Sequence, residues 1–128
     1  MAYLLDTHTF LWWIFNKQTQ LGQSAKDIIS SEEEIYLSLV SVWEIALKVS
    51  IGKLQIRKSP QEFIKENVEK NAFNFLEIKL DHIIQSTQLP FYHRDPFDRL
   101  LISQSSIEGM TIISADEVFD KYLIKRIW

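Results

Sequence analysis

The sequence predicts an α/β domain built on a mostly parallel sheet, and three observations carry that prediction. Apolar runs of four or five residues recur at Ala2–Leu5, Ile35–Leu39, Phe75–Ile78 and Met110–Ser114. Longer segments with helical patterning separate them. The 128 residues are 46% apolar, which supplies one sizeable core for a single domain spanning 1–128.

Ala2-Tyr3-Leu4-Leu5 reads as a buried strand that stops at Asp6, and Phe10 to Phe15 as an aromatic-rich helix. Gln23 to Ser30 is a second helix after Gly22, and Ile35 to Leu39 the second strand. Val42 to Ile51 is a helix with Ser41 as N-cap and Gly52 as stop. Pro60 opens a helix that runs to Lys70, since proline suits the first helical turn. Phe75 to Ile78 is the third strand, followed by a short helix from Asp81 to Gln88. Pro96 to Glu108 is the most strongly signalled helix, with Phe97, Leu100, Leu101 and Ile107 as its apolar stripe and Gly109 as its close. Met110 to Ser114 is the fourth strand. A short helix follows from Asp116, and Lys125 to Trp128 is a last strand. In such parallel sheets ligands bind beyond the carboxyl ends of the strands, so chemistry is sought there.

Composition excludes several classes. There is no cysteine, hence no disulfide, zinc–thiolate site or cysteine nucleophile. No segment is long and apolar enough to span a bilayer, and Met1 to Asp6 lacks the basic start and apolar run of a signal peptide. The expected location is the cytoplasm, without membrane attachment. The serines at 103, 105 and 106 lack the strand–elbow setting of a nucleophile.

Four carboxylates remain as candidates for chemistry. Asp6 ends the first strand and also suits a helix N-cap. Glu44 lies in Val42-Trp43-Glu44-Ile45-Ala46-Leu47, where it has little solvent-facing room. A buried carboxylate is costly unless paired or metal-bound, and the competing partner is Lys48 at i, i+4. In Asp95-Pro96-Phe97-Asp98, Asp95 suits the N-cap, and Asp98 suits the third helical position through the helix dipole. Asp116 follows the fourth strand and could cap the short helix after it. Singly, each acid has such a structural reading, and a non-catalytic binding module is the alternative they support. Together, Asp6, Glu44, Asp98 and Asp116 converge at one sheet edge, with Glu44 in the first turn after a strand. Hard oxygen ligands there suit Mg²⁺ or Mn²⁺. Such ions activate water against phosphodiesters and, when paired, sit about 3.5–4 Å apart.

These stretches resemble the PIN-domain family. Leu4-Leu5-Asp6-Thr7-His8 is similar to its opening strand and first acid, Ser41-Val42-Trp43-Glu44-Ile45 to the helix bearing the second. Asp95-Pro96-Phe97-Asp98-Arg99-Leu100-Leu101-Ile102 is similar to the helix carrying the third, which maps to Asp98, and Ile112-Ile113-Ser114-Ala115-Asp116 to the turn bringing the fourth. Glu117 adjoins Asp116 as a rival for that place. The resemblance covers essentially the whole chain and is strongest to VapC-like toxins. It implies a three-layer α/β/α sandwich around about five strands and Mg²⁺- or Mn²⁺-dependent cleavage of RNA. It also implies a small cognate antitoxin as partner and a homodimer. Within the family, RNA processing and DNA cleavage are alternative roles.

The net charge of −3 weighs against nucleic acid until its distribution is considered. Removing the four acids leaves +1 on the rest (−3 less −4). Lys48 to Lys58 carries Lys48, Lys53, Arg57 and Lys58 without an acid, and His93, Arg94 and Arg99 flank Asp98. These are the expected phosphate-holding residues, with a solvated surface as the alternative. His8 has no second histidine close in sequence and reads as structural. Trp12, Trp13 and Phe15 are expected at a dimer or antitoxin surface rather than stacked on bases.

Overall fold

The computed structural model describes all residues, Met1–Trp128. Five strands form one sheet: β1 (Ala2–Leu5), β2 (Glu34–Ser38), β3 (Asn74–Leu76), β4 (Thr111–Ile113) and β5 (Arg126–Ile127). Six α-helices accompany them: α1 (Thr7–Ile14), α2 (Gln23–Ile29), α3 (Leu39–Ser50), α4 (Pro60–Lys70), α5 (Leu80–Gln88) and α6 (Pro96–Glu108). The strand order is β3-β2-β1-β4-β5 and every pairing is parallel.

That order has one switch point. The chain builds outward from β1 through β2 to β3, then returns to place β4 against the other side of β1. Leu5 faces Leu37 on one side and Ile113 on the other, so the ends of β1, β2 and β4 are level. Asp6, Ser38 and Ser114 are the residues at those ends, where a doubly wound sheet presents its crevice.

Side chains alternate across the sheet with period two. Tyr3, Leu5, Ile35, Leu37 and Ile113 face a core layer completed by Phe10, Ala25, Ile45, Ile64 and Val68 from α1 to α4. Leu4 and Ile112 face the opposite layer with Leu101, Ile102 and Phe119. This is the expected three-layer sandwich.

The structure departs from the sequence reading in several places. α3 is capped by Ser38, whose hydroxyl accepts from the Val40 N–H at 3.0 Å, not by Ser41. The strand passes directly into the helix, so Glu44 lies in its second turn. α6 is more than a stripe: Arg99 to Ser105 are all buried, because the helix lies between the sheet and α5. Its polar residues are served internally, with Ser103 donating to the His82 carbonyl at 2.7 Å and the Gln104 amide to the Glu77 carbonyl at 3.1 Å. β3 begins at Asn74 and ends at Leu76, so Glu77 and Ile78 fall outside it. Gly109 ends α6 with φ 67°, the left-handed conformation glycine tolerates. No helix is long and apolar enough to cross a membrane.

Candidate metal centre

Asp6 leaves β1 and caps α1, one carboxylate oxygen accepting from the Thr9 N–H at 2.8 Å. Its other oxygen accepts from the Ser114 hydroxyl at the end of β4. Burial pushes the Asp6 carboxyl upward, and the bonds from Ser114 and Thr9 oppose that shift. A carboxylate oxygen has two lone-pair sites, so the cap leaves acceptor capacity on both oxygens. Capping and ion binding are therefore compatible roles for this side chain.

Glu44 is 6% exposed on α3. Thr7 Oγ1 lies 2.7 Å from its Oε1 and 2.9 Å from Ser41 Oγ. The threonine has one hydroxyl proton; given to the carboxylate, it leaves Ser41 as the donor to Thr7. Lys48 Nζ stands 3.0 Å from Glu44 Oε2, which realises the i, i+4 pair weighed from the sequence. The lysine expected to hold phosphate is thus engaged by one of the four acids.

Asp98 occupies the third position of α6. Asp95 is the cap, its Oδ1 accepting from the N–H groups of Phe97 at 2.8 Å and Asp98 at 3.2 Å. Burial pushes the Asp98 carboxyl up to about 8, with further contributions from the charges of Asp95, Asp6, Glu44 and Asp116. The charges of Asp6, Glu44 and Asp116 thus all reach Asp98. Asp116 follows β4 and accepts from the Val118 N–H at 3.0 Å. Its own N–H donates to Ser114 Oγ at 3.0 Å. Glu117 is exposed on the following 3-10 helix, Glu117–Lys121, so Asp116 is the acid that faces the cluster.

The sequence places His93 among the expected phosphate-holding residues that flank Asp98. Its Nε2 lies 2.8 Å from Asp116 Oδ2 and 3.2 Å from Asp98 Oδ2. One ligand-type atom from each of these three residues falls within 4.8 Å of the others. Neighbouring ligands of an octahedrally held ion are about 3 Å apart, given metal–ligand distances of about 2.0–2.2 Å. The donor set fits a divalent cation: hard carboxylate oxygens, one imidazole nitrogen, and acid charge exceeding that of the adjacent Lys48.

Several expected binding residues stand elsewhere. Arg99 is a correction: it is 5% exposed and donates to the carbonyls of Ser86, Leu89, Pro90 and His93 at 2.8–3.0 Å. It staples the loop before α6 from inside and does not face a strand of RNA. Arg57 and Lys58 line a groove with Phe15 at the far end of α1 from Asp6, about nine residues or roughly 14 Å along the helix. Lys58 pairs there with Glu66, and Lys53 is exposed in the same connection. Arg94 is exposed beside His93 and pairs with no acid.

The adjacent tryptophans divide. Trp13 packs against the core and donates to Asn71 at 3.0 Å. Trp12 lines a groove of about 250 Å³ with Asp6, His8, Ala115 and Asp116. The His8 ring lies 5.8 Å from Trp12. Phe15 is exposed, as are residues at four-residue intervals along and just past α3, Leu39, Trp43, Leu47 and Ile51, and Leu80, Ile83 and Ile84 on α5.

The model of the PIN domain matches residues 3–124. Among solved structures, VapBC2 from Rickettsia felis bound to a promoter DNA fragment is 16% identical, with a TM-score of 0.72 over 99% of this chain and 98% of that one. FitAcB from Neisseria gonorrhoeae is 17% identical, with a TM-score of 0.69 over 98% and 96%. DNA-bound VapBC from Salmonella typhimurium is 12% identical, with a TM-score of 0.68 over 99% and 97%. No curated protein matches the chain.

Proposed function

The chain belongs to the PIN-domain family, and from that membership we propose that it is a divalent-metal-dependent endoribonuclease acting as the toxin of a toxin–antitoxin pair. The observation that carries this reading is the approach of Asp98 and Asp116, with His93, to within 4.8 Å, beside a groove that Asp116 shares with Asp6. Acids used only as caps would not need to share one crevice. Glu44 caps nothing, and Asp98 has a neighbour, Asp95, that already performs the cap.

Asp6, Glu44, Asp98 and Asp116 would hold Mg²⁺ or Mn²⁺. When bound, the ion supplies a Lewis acid for phosphodiester hydrolysis. The chain's own part is positioning. Thr7 orients Glu44, and Ser114 links Asp6 to the Asp116 backbone. Trp12 and His8 wall the groove beside Asp6, where a base can stack. Arg94 is the exposed cation nearest in sequence to the centre and the best placed to meet a backbone phosphate.

A similar solved structure from Klebsiella pneumoniae is a toxin–antitoxin complex, which supports a protein partner for this chain. A cognate antitoxin covers the acidic centre and places a basic side chain among the carboxylates. The exposed apolar rows on α3 and α5 provide surface for that partner and for a second copy in a homodimer. The protein acts in the cytoplasm as a single domain spanning 1–128. RNA is the substrate of this reading, with structured DNA as the alternative.

The test is RNA cleavage by purified protein with Mn²⁺, Mg²⁺ or EDTA, alone and with the product of a neighbouring gene. Metal-dependent cleavage that the neighbour suppresses supports the reading. Equal cleavage in EDTA removes the metal, and full activity in the saturated complex removes the antitoxin.

A further inference from the structure

We propose that His93 is itself a metal ligand, its imidazole Nε2 joining Asp98 and Asp116 in a mixed nitrogen–oxygen centre. The inference rests on the metal-dependent reading above and names a ligand that the four acids do not include.

Nε2 lies 2.8 Å from Asp116 Oδ2 and 3.2 Å from Asp98 Oδ2, so one nitrogen faces two carboxylates from different elements. Asp98 is carried by α6 and Asp116 by the turn after β4, while His93 comes from the loop between α5 and α6.

The loop is held so that the ring stays there. The His93 N–H donates to the Tyr122 hydroxyl at 2.8 Å, and that hydroxyl donates to the Pro90 carbonyl at 2.6 Å. The His93 carbonyl accepts from Arg99 at 3.0 Å, one of four carbonyls the buried guanidinium gathers from this stretch. The imidazole packs 5.5 Å from the Phe119 ring. A phosphate-binding histidine would gain from mobility and exposure. This one is fixed on both sides of its own backbone and aimed inward.

Elimination supports the same residue. The chain has three histidines. His82 is fully buried, with Nδ1 accepting from the Lys79 N–H at 3.0 Å and Nε2 set 2.8 Å from Glu108. His8 is exposed and leans on Trp12. Only His93 points between two of the acids.

The chemical consequence is selectivity. Carboxylate and water shells suit Mg²⁺, whereas imidazole binds first-row transition ions more firmly, in the order Mn²⁺ below Fe²⁺ below Co²⁺. A nitrogen in the first shell therefore tilts this centre away from Mg²⁺ and toward Mn²⁺ and later ions.

Pulsed electron paramagnetic resonance on the full chain loaded with Mn²⁺ reads the ligand directly. Wild type should show a nitrogen coupling that changes when histidine is supplied as ¹⁵N. His93→Gln should lose the coupling and His8→Gln should keep it. Calorimetry with Mn²⁺ and Mg²⁺ should show the preference for Mn²⁺ falling about tenfold or more in His93→Gln, with circular dichroism as the folding control. Mn²⁺ bound without any histidine coupling in wild type would overturn the inference and leave the metal-dependent reading standing. A coupling that persists in His93→Gln would also overturn it. Failure of the wild type to bind Mn²⁺ by calorimetry would remove both.

Discussion

Thr7 donates its hydroxyl to Glu44 at 2.7 Å, so the residue that follows the first acid holds the second. The contact joins the start of α1 to the second turn of α3 and fixes the rotamer of a carboxylate that is nearly sealed from water. Thr7→Val keeps the shape and removes the donor. It should weaken Mn²⁺ binding about 10–100-fold, the usual scale for a lost supporting contact. Leaving a buried acceptor unmet should also cost about 1–3 kcal/mol of stability. Calorimetry and chemical denaturation check the two effects separately.

Asp95 and Asp98 open the same helix with different tasks. Asp95 accepts two backbone N–H bonds, and asparagine caps about as well. Asp95→Asn should therefore leave both folding and RNA cleavage nearly unchanged. Asp98→Asn should reduce cleavage by orders of magnitude, since an amide oxygen is a poor ligand for a hard cation. Rates at saturating Mn²⁺ decide between them, and the reverse pattern would move the ligand to Asp95.

Stability should depend on pH in the metal-free protein. Burial and four neighbouring acids raise the Asp98 carboxyl to about 8, above its ordinary value of 3.8. Between those two values the folded state keeps a proton that the unfolded state has released. Stability from this group therefore falls as pH rises from about 4 to about 8, and is level beyond. The loss should reach roughly a few kcal/mol, and Asp98→Asn should flatten the slope. Melting in EDTA across that range measures it; a wild-type curve parallel to the variant's would refute it.

Arg99 and Arg94 should separate structure from substrate binding. Arg99→Lys replaces a planar fork that meets four carbonyls and should cost about 2–4 kcal/mol. It should leave the salt dependence of RNA binding unaltered. Arg94→Ala should barely affect folding and lower the slope of log affinity against log salt by about one. Unchanged slopes in both would show that neither residue meets phosphate.

The reach of the sequence is visible residue by residue. Asp6 and Asp116 were legible because each follows a short apolar run, and a parallel sheet brings the ends of its strands together. Glu44 was legible because its helix leaves a carboxylate no room in solvent. Ser41 was misplaced as a cap because β2 runs into α3 without a loop, so Ser38 takes that role and Ser41 turns inward to Thr7. Arg99 beside an acid motif looks like a phosphate ligand until the loop carbonyls that surround it are seen, and those depend on how residues 86–93 fold back. His93 was missed as a centre residue because its approach to Asp116 spans 23 positions, a separation no local pattern reports. Trp12, Trp13 and Phe15 drew attention as aromatic, yet the longest exposed apolar row is Leu39, Trp43, Leu47 and Ile51, whose four-residue spacing was in plain view.

In the proposed function the acids at the switch point hold an ion that supports RNA cleavage. Asp6→Asn tests this most directly, because Asp6 links β1 to Ser114 and lines one groove with Asp116. Asparagine can keep the cap to Thr9 while removing one negative charge from a crowded site. Cleavage of RNA at saturating Mn²⁺ should fall to background, while the melting temperature in EDTA stays level or rises. Cleavage at the wild-type rate by a folded Asp6→Asn protein would contradict the account.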